Sequence, residues 1–444
     1  MRRILFTMML LMGLQTAMSQ EFVRVENGQF IRNGKPYHYV GANFWYGAVL
    51  GSKGQGGDRA RLAKELDFLK SIGVDNLRVL VGSDGLQAED RYVPSLVYPT
   101  LQTAPGVYND TILDGLDYFM AELKKRDMLA VLYLNNSWEW SGGYGQYLEW
   151  AGEGECPHPS EAGYSAFMKH VAGFATHKKA QKLFYKHVKN IMKRTNRYTG
   201  VKYVDDPTIM SWQIGNEPRA FTKDYSVDQA PQRAAFAAWL AKTSKLMKKL
   251  DKNHMVSTGS EGKHGCEEDM TLFEKVHADK NVDYICIHIW PFNWEWIKAE
   301  KDGNGNVPGT KGGWIGAEAA KDSTKAYLDE ALVVAKRLQK PIVIEEFGFP
   351  RDHGAYAIGS ETTARDSYYK CVFDLVKDPS RPLVAGCNFW AWGGFAQPVH
   401  EIWKPYDPYT GDPAQEAQGL NSVFVSDKTV EVIRMKNEEL RMKK

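Results

Sequence analysis

The 444-residue sequence is poor in cysteine, balanced in charge and, beyond its first residues, free of long apolar runs. Five cysteines, an odd number, leave at least one thiol unpaired in a monomer and exclude a fold held mainly by disulfides. Cys286 and Cys387 fall in apolar, strand-like runs and read as small buried hydrophobes. Cys156 and Cys266 fall in loops and are the candidates for a bridge. No spacing resembles a zinc site, and neither a metal nor a cofactor is expected. Lys and Arg number 56 against 54 Asp and Glu, a formal net charge of +2. Without a basic excess there is no face for a polyanion, so nucleic acid is excluded as a partner and an uncharged substrate is expected. One apolar run does occur, at residues 4–14. It follows Arg2 and Arg3 and precedes the small-residue site Ala17-Met18-Ser19. That is the pattern of a secretory signal over residues 1–19, too short to span a bilayer. Removing it takes away the two arginines and leaves the mature chain, from Gln20, without net charge. A secreted or periplasmic monomer without a membrane span is expected.

What the sequence does have is tryptophan and tyrosine, 13 and 22 respectively, and a repeating rhythm. Asn27-Gly28 and Asn33-Gly34 punctuate residues 22–40 and predict a hairpin capping one end of the domain. Strand-like runs follow at residues 39–44, 76–80, 129–134, 209–214, 255–258, 284–289, 342–346 and 384–390. Helical patterns alternate with them at 60–72, 112–126, 181–194, 232–250, 268–277, 323–338, 363–376 and 430–442. Eight such units predict an α/β fold, a (β/α)8 TIM barrel, occupying residues 20–444 as one catalytic domain. Chain beyond the roughly 250 residues of a minimal barrel concentrates after the third, sixth and eighth strands, at 135–179, 290–322 and 391–426. Eleven of the 13 tryptophans fall at the strand ends these segments surround. Flat rings with one polar edge suit the apolar faces of sugars, and about half of them are expected to touch substrate.

Two carboxylates sit at that same edge. Ile214-Gly215-Asn216-Glu217-Pro218-Arg219 closes the fourth strand and Ile344-Glu345-Glu346-Phe347-Gly348 the seventh. Paired carboxylates at a barrel mouth can split a glycosidic bond, one attacking the anomeric carbon and one protonating the departing oxygen. Arg78, ending the second strand, is the cation best placed to keep one ionised. That charge in turn raises the other carboxyl's pKa, keeping it protonated as the acid.

The Asn216-Glu217-Pro218 and Glu346-Phe347-Gly348 strand ends resemble those of glycoside hydrolase family 5, a retaining group. Arg219 after the proline, and the run Leu134-Asn135-Asn136-Ser137-Trp138-Glu139-Trp140 with Gln146-Tyr147, resemble the β-mannanase branch. The resemblance implies an endo-1,4-β-mannanase acting on mannan or mannooligosaccharides, with Glu217 as acid/base and Glu346 as nucleophile. Glu345 is the rival for the second role. Strand alternation lets only one of the neighbours face the site, and the family's carboxylate stands directly before the aromatic-Gly pair. Asn216 is expected to bond the sugar 2-hydroxyl, and Trp390 to floor the sugar at the cleavage point. His288 and Trp290 point the same way by alternation. The family commonly has His-X-Tyr there, so Trp290 is a departure, although its indole N–H can still donate to a carboxylate. Asn135, Asn136 and Trp138 are further sugar-binding candidates.

Three other readings remain at this level. A metal-dependent barrel hydrolase needs ligand clusters such as His-X-His on the first strand, where His38 stands alone. A non-catalytic sugar-binding barrel would keep the tryptophans and lose a carboxylate. Exo-action on chain ends would follow if the long segments closed one end of the groove. The segment 393–422, rich in proline and aromatics, is expected to be an ordered wall that narrows the groove beside Trp390.

Overall fold

Eight apolar runs become eight parallel strands: β1 Tyr39–Asn43, β2 Asn76–Leu80, β3 Leu129–Tyr133, β4 Ile209–Gln213, β5 Met255–Ser257, β6 Ile285–Ile289, β7 Ile342–Phe347 and β8 Val384–Phe389. They belong to a computed structural model describing residues 21–222, 229–299 and 311–442, so the signal-like segment 1–19 lies outside the described residues. Every residue of every strand is buried, as parallel strands covered on both faces require. Their order, β5-β4-β3-β2-β1-β8-β7-β6, wraps them into a barrel with one seam, between β5 and β6. Asp283 spans the seam, its N–H donating to Val256 O (2.8 Å) and its Oδ2 accepting from Val256 N (2.6 Å).

The helices α1 Arg59–Ser71, α2 Asp110–Lys125, α3 Lys178–Met192, α4 Ala230–Leu250, α5 Met270–His277, α6 Ala317–Leu338, α7 Thr363–Leu375 and α8 Thr429–Met442 alternate with the strands. Their starts are chemically marked: the side chains of Asp58, Asn109 and Asp269 cap α1, α2 and α5 by accepting from first-turn N–H groups. The predicted starts agree within three residues except for α6, which begins six residues before the expected 323. Ala317-Glu318-Ala319-Ala320 carries good helix formers there, but no apolar stripe to signal the first turn.

The N-terminal hairpin is a three-stranded antiparallel sheet, Arg24–Glu26, Gln29–Arg32 and Lys35–Pro36. Asn27-Gly28 and Asn33-Gly34 adopt positive φ at all four residues, which tight hairpin turns need. Phe30 is fully buried edge-on to Tyr284 (5.3 Å) and closes the lower end of the barrel.

The long segments lie where expected. The one after β3 carries helices Gly143–Ala151 and Pro159–Val171, and the one after β8 pairs Trp392–Gly394 with Val423–Phe424. This last segment is ordered by buried charge. Asp412 accepts from the N–H groups of Gly419 (2.7 Å), Asn421 (2.8 Å) and Ser422 (3.2 Å). The buried Arg351 and Arg365 donate to the carbonyls of Gly419 (2.8 Å) and Ser422 (3.0 Å). All five cysteines are free. The bridge considered for Cys156 and Cys266 does not form: Cys156 packs against Gly145 in the β3 segment, and Cys266 is buried beside Ser260 after β5. Cys286 and Cys387 are buried in the strands, as read.

Candidate active site

The barrel's own interior supplies the base of the site. Arg78 on β2 is fully buried and spreads its guanidinium over four partners. It donates to Gln213 Oε1 (2.8 Å), Asn43 Oδ1 (3.2 Å), Asn216 Oδ1 (2.9 Å) and, in the shortest contact, Glu346 Oε1. Its plane lies 4.4 Å from the Tyr133 ring, and the surrounding carboxylates more than offset the cost of burying its charge.

Glu345 and Glu346 both turn inward, contrary to simple alternation. The β6–β7 ladder shifts register at this point: Ile287 pairs with Ile344 and His288 with Glu346, leaving Glu345 as an extra residue. Glu345 is held inside the barrel by Tyr284 Oη (3.0 Å) and Gln213 Nε2, with Arg78 Nε 3.9 Å away. Glu346 stands at the mouth, where it lines a cavity of about 540 Å³.

Glu217 reaches the same cavity from just beyond β4, with φ +49°, a conformation uncommon outside glycine and a form of local strain. Its backbone is clamped by Gly259 O, which accepts from its N–H at 2.9 Å, and by Ser137 Oγ, which donates to its carbonyl. Trp138 Nε1 donates to Glu217 Oε2 (2.5 Å). His288 Nδ1 lies between the carboxylates, 2.8 Å from Glu217 Oε1 and 3.3 Å from Glu346 Oε2. Burial disfavours the imidazolium, but the Glu346 charge and hydrogen bonds to both carboxylates raise the pKa of His288 to about 9. Burial would also raise Glu346. His288 and Arg78 outweigh it and hold that carboxyl below its ordinary range.

The other expected residues divide in two. Trp138, Asn216, Trp290 and Trp390 line the cavity. Trp290 packs edge-on to Trp390 (6.0 Å) and over Gly348. The carboxylates' side-chain hydrogen bonds come from Arg78, His288 and Trp138 rather than from Trp290. Asn135 and Asn136 stand behind the wall instead of on it: Asn135 O accepts from Asn216 N (2.8 Å), and Asn136 Oδ1 from Asn216 Nδ2 (3.3 Å). Their place supports Asn216. Five of the eleven tryptophans at this face line the cavity, including Trp140 and Trp294, while Trp45 and Trp392 pack the loops.

Sequence reasoning left out Glu139, Tyr164, Glu261, Glu416 and Asn421, all on the cavity wall. Glu261 pairs with Arg219 (2.7 Å), whose guanidinium lies 4.9 Å from the Trp138 ring, a contact that only the fold brings about. Glu416 and Asn421 carried no signal, lying in a segment without periodicity. Glu217, His288 and Glu346 bring one ligand atom each within 4.8 Å of one another, a spacing that could hold a metal ion. The shared His288 nitrogen keeps its proton at neutral pH and is occupied by the carboxylates, so the trio is set up for proton chemistry.

A barrel with two carboxylates facing one aromatic-lined cavity at its mouth is the architecture of a glycoside hydrolase. The family model described as "GH family 5 beta-mannosidase-like" matches residues 20–444, and the chain belongs to that family. It is 30% identical over 389 residues to a putative mannan endo-1,4-beta-mannosidase 9 of Oryza sativa subsp. japonica, covering 83% of this chain and 81% of the relative. It is 27% identical over 392 residues to mannan endo-1,4-beta-mannosidase 7 of Arabidopsis thaliana, covering 85% and 79%. Among solved structures, a glycoside hydrolase family 5 mannosidase from Rhizomucor miehei superposes with a TM-score of 0.81 at 34% identity, covering 95% of this chain and 97% of that one. An endo-beta-1,4-mannanase from Thermotoga petrophila shares the fold, with a TM-score of 0.65 at 20% identity over 92% and 78%.

Proposed function

We propose that this enzyme cleaves β-1,4-mannosidic bonds within mannan and mannooligosaccharides, with retention of configuration. The observation carrying the reading is the spacing of its carboxylates, whose nearest oxygens lie within 4.8 Å. So close an approach suits a retaining enzyme, in which the second carboxylate attacks the sugar directly instead of through a water. The names of the plant relatives supply the mannan and the endo-action.

Glu346, kept ionised by Arg78 and His288, attacks the anomeric carbon while Glu217 protonates the departing oxygen. Bond formation removes the Glu346 charge. Glu217, now a carboxylate, takes a proton from water, whose oxygen displaces Glu346 and restores the starting state. Asn216, which bonds Arg78 and Asn136, bonds the sugar 2-hydroxyl in this reading, and Trp390 floors the ring; both line the cavity. Residues 1–19 support export, and a monomer is the proposed working state.

The test pairs two variants. Glu346→Ala should lose activity on every substrate, at least about 10⁴-fold, because no nucleophile remains. Glu217→Ala should still release the leaving group from activated aryl mannosides, and azide should speed turnover and yield a β-mannosyl azide. The reverse pattern would exchange the roles. Chelator-sensitive activity, or a preference for cellulose over mannan, would overturn the reading.

A further inference from the structure

Equal totals of acid and base do not mean an even spread, and on the outer surface of the barrel the two signs part. Residues 178–204, which include α3, carry nine Lys and Arg and no Asp or Glu. Residues 230–250, which form α4, carry five and none. Each of the other six barrel helices has at least one acidic residue. The two helices pack side by side, and Lys242 of α4 lies 5.2 Å from the Tyr185 ring of α3, so their basic faces join.

Lys182, Lys186, Lys189 and Lys193 recur at the three- and four-residue steps that share one helix face, and Lys242, Lys245 and Lys249 do so on α4. All seven are exposed, and none is in an ion pair among the described residues. On other barrel helices a lysine meets an acid one turn away, as Lys321 meets Glu318 (2.8 Å) and Lys370 meets Asp374 (2.6 Å). Like charges one turn apart destabilise a helix, so this alignment works against the two elements that carry it. None of the seven lines the cavity, and the strip lies on the barrel's flank, where a bound polymer leaves the mouth open.

The chemistry of the strip says what it meets. Arg194 and Arg197 are committed to Asp117 (2.7 Å) and Asp110 (3.1 Å), which leaves ammonium groups on flexible stems. Such point charges suit a row of single carboxylates, without the rigid fork that reads phosphate. No large hydrophobic side chain of either helix is exposed, so nothing projects beside the lysines to enter a bilayer. Lys182 to Lys193 spans about 16 Å along one helix, with the second row about 8–10 Å away. A long, narrow strip is the footprint of a linear polymer rather than of a plane. We infer that the lysine strip of α3 and α4 docks the enzyme on a polyuronate, a linear polysaccharide bearing carboxylates, while the cavity works on a neutral one.

The test is retardation of the full chain in a native gel containing polygalacturonate. Wild type should be retarded, and raising NaCl from about 20 to about 200 mM should weaken the binding at least about tenfold. Changing Lys182, Lys186, Lys189 and Lys245 together to Gln should weaken it at least about tenfold at low salt. Changing four exposed lysines elsewhere, Lys35, Lys53, Lys336 and Lys428, removes the same charge and should alter it less than about threefold. Both variants should hydrolyse mannooligosaccharides as wild type does. Should the first fail to fold, as judged by its melting curve, Lys186→Glu alone carries the comparison. An unretarded wild type, or equal losses in both variants, would overturn the strip as a docking face. Binding to phosphatidylserine vesicles but not to polygalacturonate would also overturn it, as would lysine-dependent self-association in sedimentation without polymer binding. Because binding is read without catalysis, failure of the mannan reading would show separately, as inactivity on mannan.

Discussion

His288 is the residue on which the charge balance of the site turns, and pH is the way to reach it. Its pKa is raised to about 9 from an ordinary 6.5 by two carboxylates in a buried setting. A raised pKa means the stabilisation is fully present below about pH 6.5, declines above it, and is lost once pH passes about 9. Melting temperature should therefore fall across that window in wild type and fall less in His288→Asn. Glu416, raised to about 8, contributes its own loss over an overlapping range, so the comparison belongs in a Glu416→Gln background. Activity should show an alkaline limb near pH 9, where Glu346 loses one of its two cations. A melting profile identical with and without the imidazole would sink this account. Glu345 gives a second contrast. Replacing it with alanine takes the acceptor from Tyr284 Oη and from one of the two Gln213 Nε2 hydrogens inside the barrel, at about 3–5 kcal/mol of stability. Glu346→Gln, which keeps an oxygen for the buried Arg78, should abolish turnover instead, without comparable unfolding. Equal stability losses in denaturant titrations would show that the division between framework and chemistry is misplaced.

At the scale of elements, the β8 segment shows what sequence can and cannot reveal. Its prolines and aromatics predicted order, and Trp403 does stack on Tyr409 (5.2 Å), which stacks on Tyr46 (5.8 Å). The strongest fastening is Asp412, an aspartate that no period or motif distinguishes from its neighbours. Asp412→Ala should cost about 2–4 kcal/mol and, by loosening the wall, lengthen the early products from mannan. An unchanged product ladder in a folded variant would remove the wall from the specificity argument. The same asymmetry runs through the molecule. Eight strands were legible because burial on both faces forces largely apolar runs such as Leu129–Tyr133 and Ile285–Ile289. Glu217, Glu346 and Arg78 were legible because chemistry gathers at strand ends. The bulge at Glu345 was not, since it exists only in the ladder with β6, and period two wrongly sent the neighbours to opposite faces. Asn135 and Asn136 carry no local mark separating a residue that touches sugar from one that supports Asn216.

The whole molecule is a ring with one weak joint. Seven of the eight strand junctions are hydrogen-bonded ladders, while β5 and β6 meet through Asp283 and the contact of His288 N with Glu261 O (3.2 Å). Two residues of the site straddle that joint, since Glu217 follows β4 on one side and His288 rides β6 on the other, 2.8 Å apart. Breathing at the seam is therefore a motion that parts them. Amide hydrogens of β5 and β6 should exchange with deuterium faster than those of β2 and β3, with opening free energies well below that of global unfolding. Activity should fade on heating several degrees before the ring as a whole gives way, and return on cooling. The temperature at which this enzyme stops working would then be set by the give of a single joint rather than by the strength of its core.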